Sequence, residues 1–534
     1  MEKNNFNKIK IAEICLFLAV FLCYGVYAVG LFFRVGIDSD YSNLVLEAAD
    51  ILNGNVFLAD WNLTGITFFT TDLLYFIVGV FFAGISVNAY YIAVVGMFLA
   101  LILSALLLIK TTGKKANVTD LLIFFAIAGF PPIYGCNILR AHTAAIIWIF
   151  LAIFFLTKAY YSHEIDKKCE RIYLLLFTFF MILACCGDSE SLIIGILPLI
   201  IICVYNLLGN NIVHKKFNIR LLILTIVSAI IGKTIEIIFV SIGNTEKNSF
   251  LGSKIFGDFK TIGEKFEIYV KSITGMSKAD FFGKNIISID TLWHFLRICL
   301  ILFTFYIIFK NINLFFRRKR SDLISVILSL GFVIMSAILI FTDIAANTMS
   351  ARYIAYFPVL SALLIIRYFK FNDIFEKRAC NKKIAIKTVG VAFFSLILLS
   401  AIQPISLKPV ETSQERLGAF LEKNGLQNGY AKFWNASHIT VSTENKVKVR
   451  AVIFDKQANL GQFQWFCKNE WYYPDYANFV IIENKDANDQ EFMINEINVE
   501  KSLGKPKKRL KFEEYTIFVY SYDISKKIIS VGGT

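Results

Sequence analysis

Residues 34–72 read R-V-G-I-D-S-D-Y-S-N-L-V-L-E-A-A-D-I-L-N-G-N-V-F-L-A-D-W-N-L-T-G-I-T-F-F-T-T-D, directly after the first long apolar run. Asp38 and Asp40 stand where that run ends. Behind them Tyr41, Leu44, Val45, Ala48, Ala49 and Leu52 recur at helical spacing, while Ser42, Asn43, Glu47, Asp50 and Asn53 take the other side. One apolar face and one polar face is the pattern of a short helix lying in a membrane interface. Gly54 follows the last periodic residue, as a helix stop should. The stretch therefore predicts two carboxylates held at a membrane surface by a helix that cannot leave it. A purely soluble enzyme has no use for that placement, whereas one acting on a lipid-borne substrate does.

Composition agrees. The chain has 534 residues, 56% hydrophobic and 18% charged, where soluble domains run at roughly 45–50% and about 25%. This predicts an α-helical polytopic membrane protein with room for one soluble domain. The apolar run through Phe33 is too long for a signal peptide and reads as an uncleaved membrane helix. The ten cysteines are scattered. Only Cys467 falls in the C-terminal region, so no disulfide can form within it, and no Cys/His spacing suggests zinc.

Apolar spans are predicted at 11–33, 89–109, 121–135, 142–160, 172–186, 190–208, 221–242, 291–309, 323–342, 353–368 and 388–405, about eleven crossings in all. The shorter run 73–86 reads as re-entrant or interfacial. Basic residues set the orientation. With the N-terminus cytoplasmic and 73–86 not crossing, Lys3, Lys8, Lys10, Lys110, Lys114, Lys115, Lys158, Lys215, Arg317, Arg318, Lys319, Arg320, Arg367 and Lys370 all fall inside. The short outer loops then carry only Arg34, Arg140 and Arg352. The net charge of +14 is thus mostly a topology signal and gives no reason to expect a nucleic-acid partner.

This topology gathers the out-of-place polar residues on the outer side: Asp38, Asp40, Asp60, Asp72, Asn137, Arg140, His142, Asp188, Glu190, His294, Arg297, Asp343 and Arg352. Ionisable groups at membrane depth face a cavity or one another, and an outward-facing cavity explains them together. Several have a plainer reading, and for Asp38 it is a purely structural role. Ser39 or Asp40 serves as an N-cap, Arg140 anchors its helix, Arg352 snorkels, Asp188 and Glu190 keep a tight turn in water, and Lys233 with Glu236 forms a structural ion pair. The outer segment 244–290 predicts a short helix around Phe266–Ile273. Residues 406–534 alternate helix and strand patterns and predict a small extracytoplasmic α/β domain. Its helices are expected at Thr412–Lys423 and Asp489–Ile497, and its strands at Lys446–Phe454, Asn478–Glu483 and, as a pair, Leu510–Tyr522. Trp434, Trp465, Trp471, Tyr472 and Tyr473 read as core of that domain.

Residues 1–405 resemble the GT-C superfamily of integral-membrane glycosyltransferases, which includes the protein O-mannosyltransferases and the bacterial lipid A aminoarabinose transferases. The resemblance rests on the acidic exit of the first helix with its amphipathic helix, Asp38 through Gly54. It rests also on an S-x-R-Y-x-x-x-x-P-x-L pattern at Ser350, Arg352, Tyr353, Pro358 and Leu360, and on a polar break from Gly187 to Pro198. Where aminoarabinose-transferase-like members have E-K-P-P, this chain has Thr70-Thr-Asp-Leu73. Where their polar break carries a Lys, this chain has Asp188-Ser-Glu190.

The resemblance implies transfer of a sugar from a polyprenyl-phosphate donor to a glycan, lipid or protein acceptor of the cell envelope, with inversion, at the outer face of the plasma membrane. Such chemistry needs a carboxylate base and positive charge for the departing phosphate. Asp38 is the expected base, with Asp40 assisting or holding a divalent cation, for which oxygen ligands suit Mg²⁺ or Mn²⁺. Arg352 with Tyr353, Arg297 and Arg140 are expected at the phosphate, and Asp72, Asp188 and Glu190 along the substrate. A transporter or flippase of envelope precursors and a non-catalytic assembly protein are the other classes. The absence of an internal repeat speaks against the first, and the number of spans against the second.

Overall fold

A computed structural model describes residues 19–111, 117–163, 165–209, 215–248, 259–280, 283, 285, 287–371, 380–454, 459–474, 476–484 and 494–528. Lys3, Lys8, Lys10, Lys114 and Lys115 lie outside them, as do 489–493 of one expected helix. The membrane part begins with α1 (Ala19–Phe32), α2 (Ser39–Leu52), β1 (Trp61–Thr64), α3 (Asp72–Ala83), α4 (Val87–Lys110), α5 (Val118–Ala128), α6 (Ile133–Ile138), α7 (Thr143–Ser162) and α8 (Lys167–Gly187). A π-helical turn (Leu192–Ile196) leads into α9 (Leu197–Leu207), followed by α10 (Lys215–Gly243), β2 (Glu246–Asn248), α11 (Ile262–Met276), α12 (Ile289–Phe316) and α13 (Leu323–Phe341). A 3₁₀ turn (Thr348–Ile354) precedes α14 (Phe357–Phe371), and α15 (Cys380–Ala401) ends this part.

Six helices, α4, α7, α8, α10, α12 and α13, are long and apolar enough to cross a membrane, and the bent pair Thr348–Ile354 with α14 makes a seventh candidate. Among the described residues each expected span meets a helix, but a count of eleven crossings does not follow from length, because α5 and α9 are short. The expected span 121–135 is split. Pro131 and Pro132 cannot continue α5, and the chain restarts as α6. The 12 residues of α3 reach only about 18 Å, short of the roughly 30 Å of a hydrocarbon core. Gly84, at φ 64°, ends α3, and α3 folds back on α4 so closely that a Cβ on Gly79 would lie 2.2 Å from the Ala89 carbonyl oxygen.

The C-terminal part continues with α16 (Ser413–Lys423), β3 (Asn428–Ala431), α17 (Phe433–Ser442), β4 (Lys448–Phe454), β5 (Leu460–Gln462), β6 (Cys467–Lys468), β7 (Phe479–Glu483), α18 (Glu496–Leu503), β8 (Lys508–Phe512) and β9 (Tyr515–Val519). Six strands form one sheet in the order β5-β4-β3-β7-β9-β8. β3 runs parallel to β4 and β7, and the outer pairs are antiparallel. Alternation puts Val449, Ala451, Phe479 and Ile481 on the face shared with Leu417, Leu421 and Ile439 of α16 and α17. Tyr430, Val452, Val480 and Ile482 lie on the other face with Val499 and Leu503 of α18. Of the expected helix Asp489–Ile497 only 494–497 are described, and α18 includes Glu496 and Ile497 of it. Among the aromatics expected in the core, Tyr472 is buried, but Trp434 and Tyr473 are 54% and 72% exposed.

This domain is stitched to the segment between α2 and α3. β1 pairs with β6 and with β2 in a separate three-stranded sheet, and Trp61 packs edge-on against Trp471 at 4.9 Å. α17 covers α2, so Ser42, Asn43 and Glu47, expected to face water, are buried. Asn43 Oδ1 accepts from Ser437 Oγ at 2.6 Å. Burial among these neighbours pushes the Glu47 carboxyl well above its ordinary range.

Candidate active site

Asp38 is itself the N-cap of α2, a role the sequence suggested for Ser39 or Asp40. Its Oδ1 accepts from the backbone N–H of Asp40 at 3.1 Å and of Tyr41 at 3.4 Å, satisfying donors that no helix can satisfy internally. Its other oxygen, Oδ2, accepts from Arg140 Nη2 at 2.9 Å. Arg140 is buried and fully engaged: Nη1 donates to Gly36 O at 2.9 Å and to the Tyr90 hydroxyl at 3.2 Å, Nε donates to Asn137 O, and Nη2 also meets Asn137 Oδ1. The guanidinium lies 4.2 Å from the centre of the Tyr41 ring. Arg140 therefore orients Asp38, while the Asp38 side chain keeps 34% of its surface exposed.

Asp40 points from the same helix start. Burial and then the Asp38 charge push its carboxyl up to about 7, against the pull of Arg352 and Arg140. Asp72 is buried, and both its oxygens serve the start of α7, accepting from His142 N at 2.6 Å and Ala144 N at 2.8 Å. That anchor holds His142 in a left-handed conformation, φ 60°, and turns its ring towards the start of the π-helical turn. There His142 Nδ1 lies 2.7 Å from Asp188 Oδ2 and 3.2 Å from Glu190 Oε1. Burial, then Asp188, pushes the Glu190 carboxyl well above its ordinary range, with Arg352 opposing.

Arg352 and Tyr353 sit on the 3₁₀ turn before α14. The Tyr353 ring packs 5.1 Å from the His142 ring, and Arg352 lies over Tyr353. The charge of Arg352 acts on both Asp40 and Glu190. Its Nε is shielded from water and has no hydrogen-bond partner. His142, Asp188 and Glu190 place one ligand atom each within 4.8 Å of one another and could hold a metal ion. Asp40, where a cation was expected, is not in that group.

Arg297 is held elsewhere. On α12, its Nη1 donates to Lys278 O at 3.3 Å and its Nη2 to Ser400 Oγ at 2.6 Å. Lys233 and Glu236 do pair, at 2.7 Å, but Lys233 also donates to Ser189 Oγ at 2.8 Å, in the middle of the polar turn, and Lys247 reaches Glu236 at 2.7 Å. Tyr41 and Tyr90 join the site without having been singled out. At helical spacing Tyr41 read as one more apolar contact, and Tyr90 lay inside a predicted span. A cavity of about 970 Å³ between Tyr205, Arg318 and Arg367 holds none of the expected site residues.

No family model and no curated protein matches this sequence. Among the solved structures that share the fold are two of one protein. ArnT from Cupriavidus metallidurans in the apo state is 9% identical, with a TM-score of 0.53 over 98% of this chain and 100% of that one. The same protein bound to undecaprenyl phosphate is 10% identical, with a TM-score of 0.52 over 95% and 98%. The fold expected from the sequence is therefore the one observed: over nearly its whole length the chain is built like ArnT, a lipid A aminoarabinose transferase of the GT-C class.

Proposed function

We propose that the chain is a membrane glycosyltransferase that moves a sugar from a polyprenyl-phosphate donor to a cell-envelope acceptor at the outer face of the plasma membrane. The observation that carries this reading is Arg352. It is a half-buried guanidinium with an unpartnered Nε, and its charge acts on both Asp40 and Glu190. A guanidinium in that position suits a phosphate bidentately. The fold is that of a protein solved with undecaprenyl phosphate bound, which supports a lipid-linked donor.

In this mechanism an acceptor hydroxyl attacks the anomeric carbon as the bond to the phosphate oxygen breaks, with inversion. Asp38 takes the hydroxyl proton, and the electron pair leaves on the lipid phosphate beside Arg352. Arg140 positions Asp38 and does not itself meet the phosphate. Tyr353 and His142 wall the site between the two acidic groups. A divalent cation, where used, fits His142, Asp188 and Glu190 better than Asp40. Glu190 Oε1 is buried, accepts no hydrogen bond and lies 3.2 Å from His142 Nδ1, and a mixed imidazole and carboxylate set suits Zn²⁺ or Mn²⁺ rather than Mg²⁺. Such an ion would supply positive charge near the departing phosphate.

The test is transfer from a polyprenyl-phosphate sugar by the full chain in nanodiscs. Arg352→Ala should weaken donor binding by about tenfold or more, the loss expected for a charge-assisted hydrogen bond. Arg352→Lys should restore part of it, since a point charge loses the fork geometry. No turnover by the intact chain with any polyprenyl-phosphate sugar, or full donor affinity in the Ala variant, overturns the reading.

A further inference from the structure

The C-terminal domain carries a second polar site. β3 and β4 are parallel and in register, with Asn428 opposite Lys448 and Tyr430 opposite Arg450. Side chains two apart share a face of a strand, so these four project together. The face is otherwise apolar, continuing through Val452. Where it should remain so, it presents Tyr430, Lys448 and Arg450 to a cavity of about 540 Å³ that Trp471 and Tyr473 close from the side.

Two of these groups are not satisfied by the protein. The Tyr430 hydroxyl and Arg450 Nη1 are shielded from solvent and have no hydrogen-bond partner. Buried polar atoms are nearly always bonded, and a buried charge without a partner is costly. Arg450 is nine-tenths buried and lies 4.1 Å over the Trp471 ring, but among the described residues no carboxylate pairs with it. Three acids lie near: Glu470, which also lines the cavity and acts on Arg450 through its charge, pairs with Lys468 at 2.7 Å, Asp523, which acts on Tyr430, accepts from Ala477 N at 3.0 Å and Ser525 Oγ at 2.7 Å, and Asp50 accepts from Trp61 Nε1 at 2.8 Å and Asn55 Nδ2 at 2.6 Å. A buried guanidinium, a free phenol and an exposed lysine around an aromatic wall match a ligand with one negative charge, hydroxyls and a flat apolar face.

We infer that this cavity binds an acidic saccharide, with its carboxylate or phosphate on Arg450 and Lys448 and its ring against Trp471 and Tyr473. A smaller cavity shares Asn445, Arg450 and Trp471 and runs to Ala49, Asp50 and Asn53 of α2. Asp38 caps the other end of that helix, about 17 Å away for the eleven residues between Asp38 and Ala49 at helical rise. The site therefore grips the acceptor away from the reacting hydroxyl, where binding energy helps hold the reacting end in place. The acceptor role rests on the glycosyltransferase reading, whereas the binding does not.

The experiment is titration calorimetry of the full chain in nanodiscs with a uronic-acid oligosaccharide, a phosphorylated sugar, the matching neutral oligosaccharide and inorganic phosphate. One of the two acidic saccharides should bind at least about tenfold more tightly than the neutral one and than inorganic phosphate. Which of them binds tells carboxylate from phosphate. Arg450→Met should lose that preference without a lower melting temperature, because Met keeps an apolar contact with Trp471 and the guanidinium it removes has an Nη1 without a hydrogen-bond partner. Tyr473→Ala, at an exposed position that cannot unfold the domain, should weaken saccharide but not phosphate binding. Equal affinity for acidic and neutral saccharides, phosphate alone binding as tightly, or a melting temperature that falls in Arg450→Met with the preference intact overturns the proposal. Binding without sugar transfer would instead count against the glycosyltransferase reading, and transfer without binding against this site.

Discussion

Asp38 Oδ2 accepts a hydrogen bond from Arg140 Nη2 at 2.9 Å while the other oxygen of the same carboxylate caps α2. One oxygen is thus held by a buried cation and the other by a helix start, so the carboxylate has a single orientation. Asp38→Asn keeps size and capping, since Asn is as good an N-cap as Asp, and removes basicity. We expect a folded protein that binds donor normally and transfers sugar at least about 10²-fold more slowly. Asp38→Ala should in addition lose about 1 kcal/mol of stability with the cap. Unreduced transfer in a well-folded Asn variant would remove Asp38 from the mechanism.

We expect Asp40 to make both stability and transfer depend on pH. Its carboxyl is raised from 3.8 to about 7, so between those values the folded chain holds a proton that the unfolded chain has lost. Stability must then fall as pH rises from 3.8 to about 7 and level off above it. Transfer, where it needs ionised Asp40 beside Asp38, should rise through the same upper value. Melting curves and rates measured below and above about 7 check both signs. In Asp40→Asn both steps should vanish, and an unchanged rate profile would mean that another group sets it.

Metal content separates the two cation placements. Elemental analysis of the chain purified without chelator should show Zn²⁺ or Mn²⁺ retained through His142, Asp188 and Glu190, and Glu190→Gln should lower the retained amount. The same loss in Asp40→Asn, with Glu190→Gln unaffected, would return the ion to Asp40.

Orientation is open to direct labelling. In intact cells, an impermeant thiol reagent should reach Lys505→Cys in the C-terminal domain and leave Arg317→Cys, at the end of α12, unlabelled. The reverse pattern would turn the site inward.

Much of this was legible from local pattern. The amphipathic stretch behind Asp38 folds as α2, and the basic loops mark one end of the bundle. The misreadings have a common cause. Ser42, Asn43 and Glu47 form a polar face, but sequence periodicity cannot tell water from a polar neighbour. The neighbour is α17, nearly four hundred residues away, as the Ser437–Asn43 bond shows. Asp72 looked like a substrate carboxylate because nothing in its surroundings shows that two backbone N–H groups of α7 use both its oxygens. Tyr473 read as core through its aromatic company and is on the surface.

The sequence by itself determined that the chain is mostly long apolar helices, where α2 lies, and that a small α/β domain follows them. Those features arise from hydrophobic periodicity and from Gly, Pro and capping side chains, which act within a turn or two of their own position. Only the tertiary structure decided which polar groups meet. Asp38 finds Arg140 across a separation of 102 residues, His142 finds Asp188 across 46, and strand register alone places Tyr430 beside Arg450. A hydrogen bond or ion pair needs its partners within about 3 Å, and no local pattern carries a distance between residues that the chain brings together only on folding.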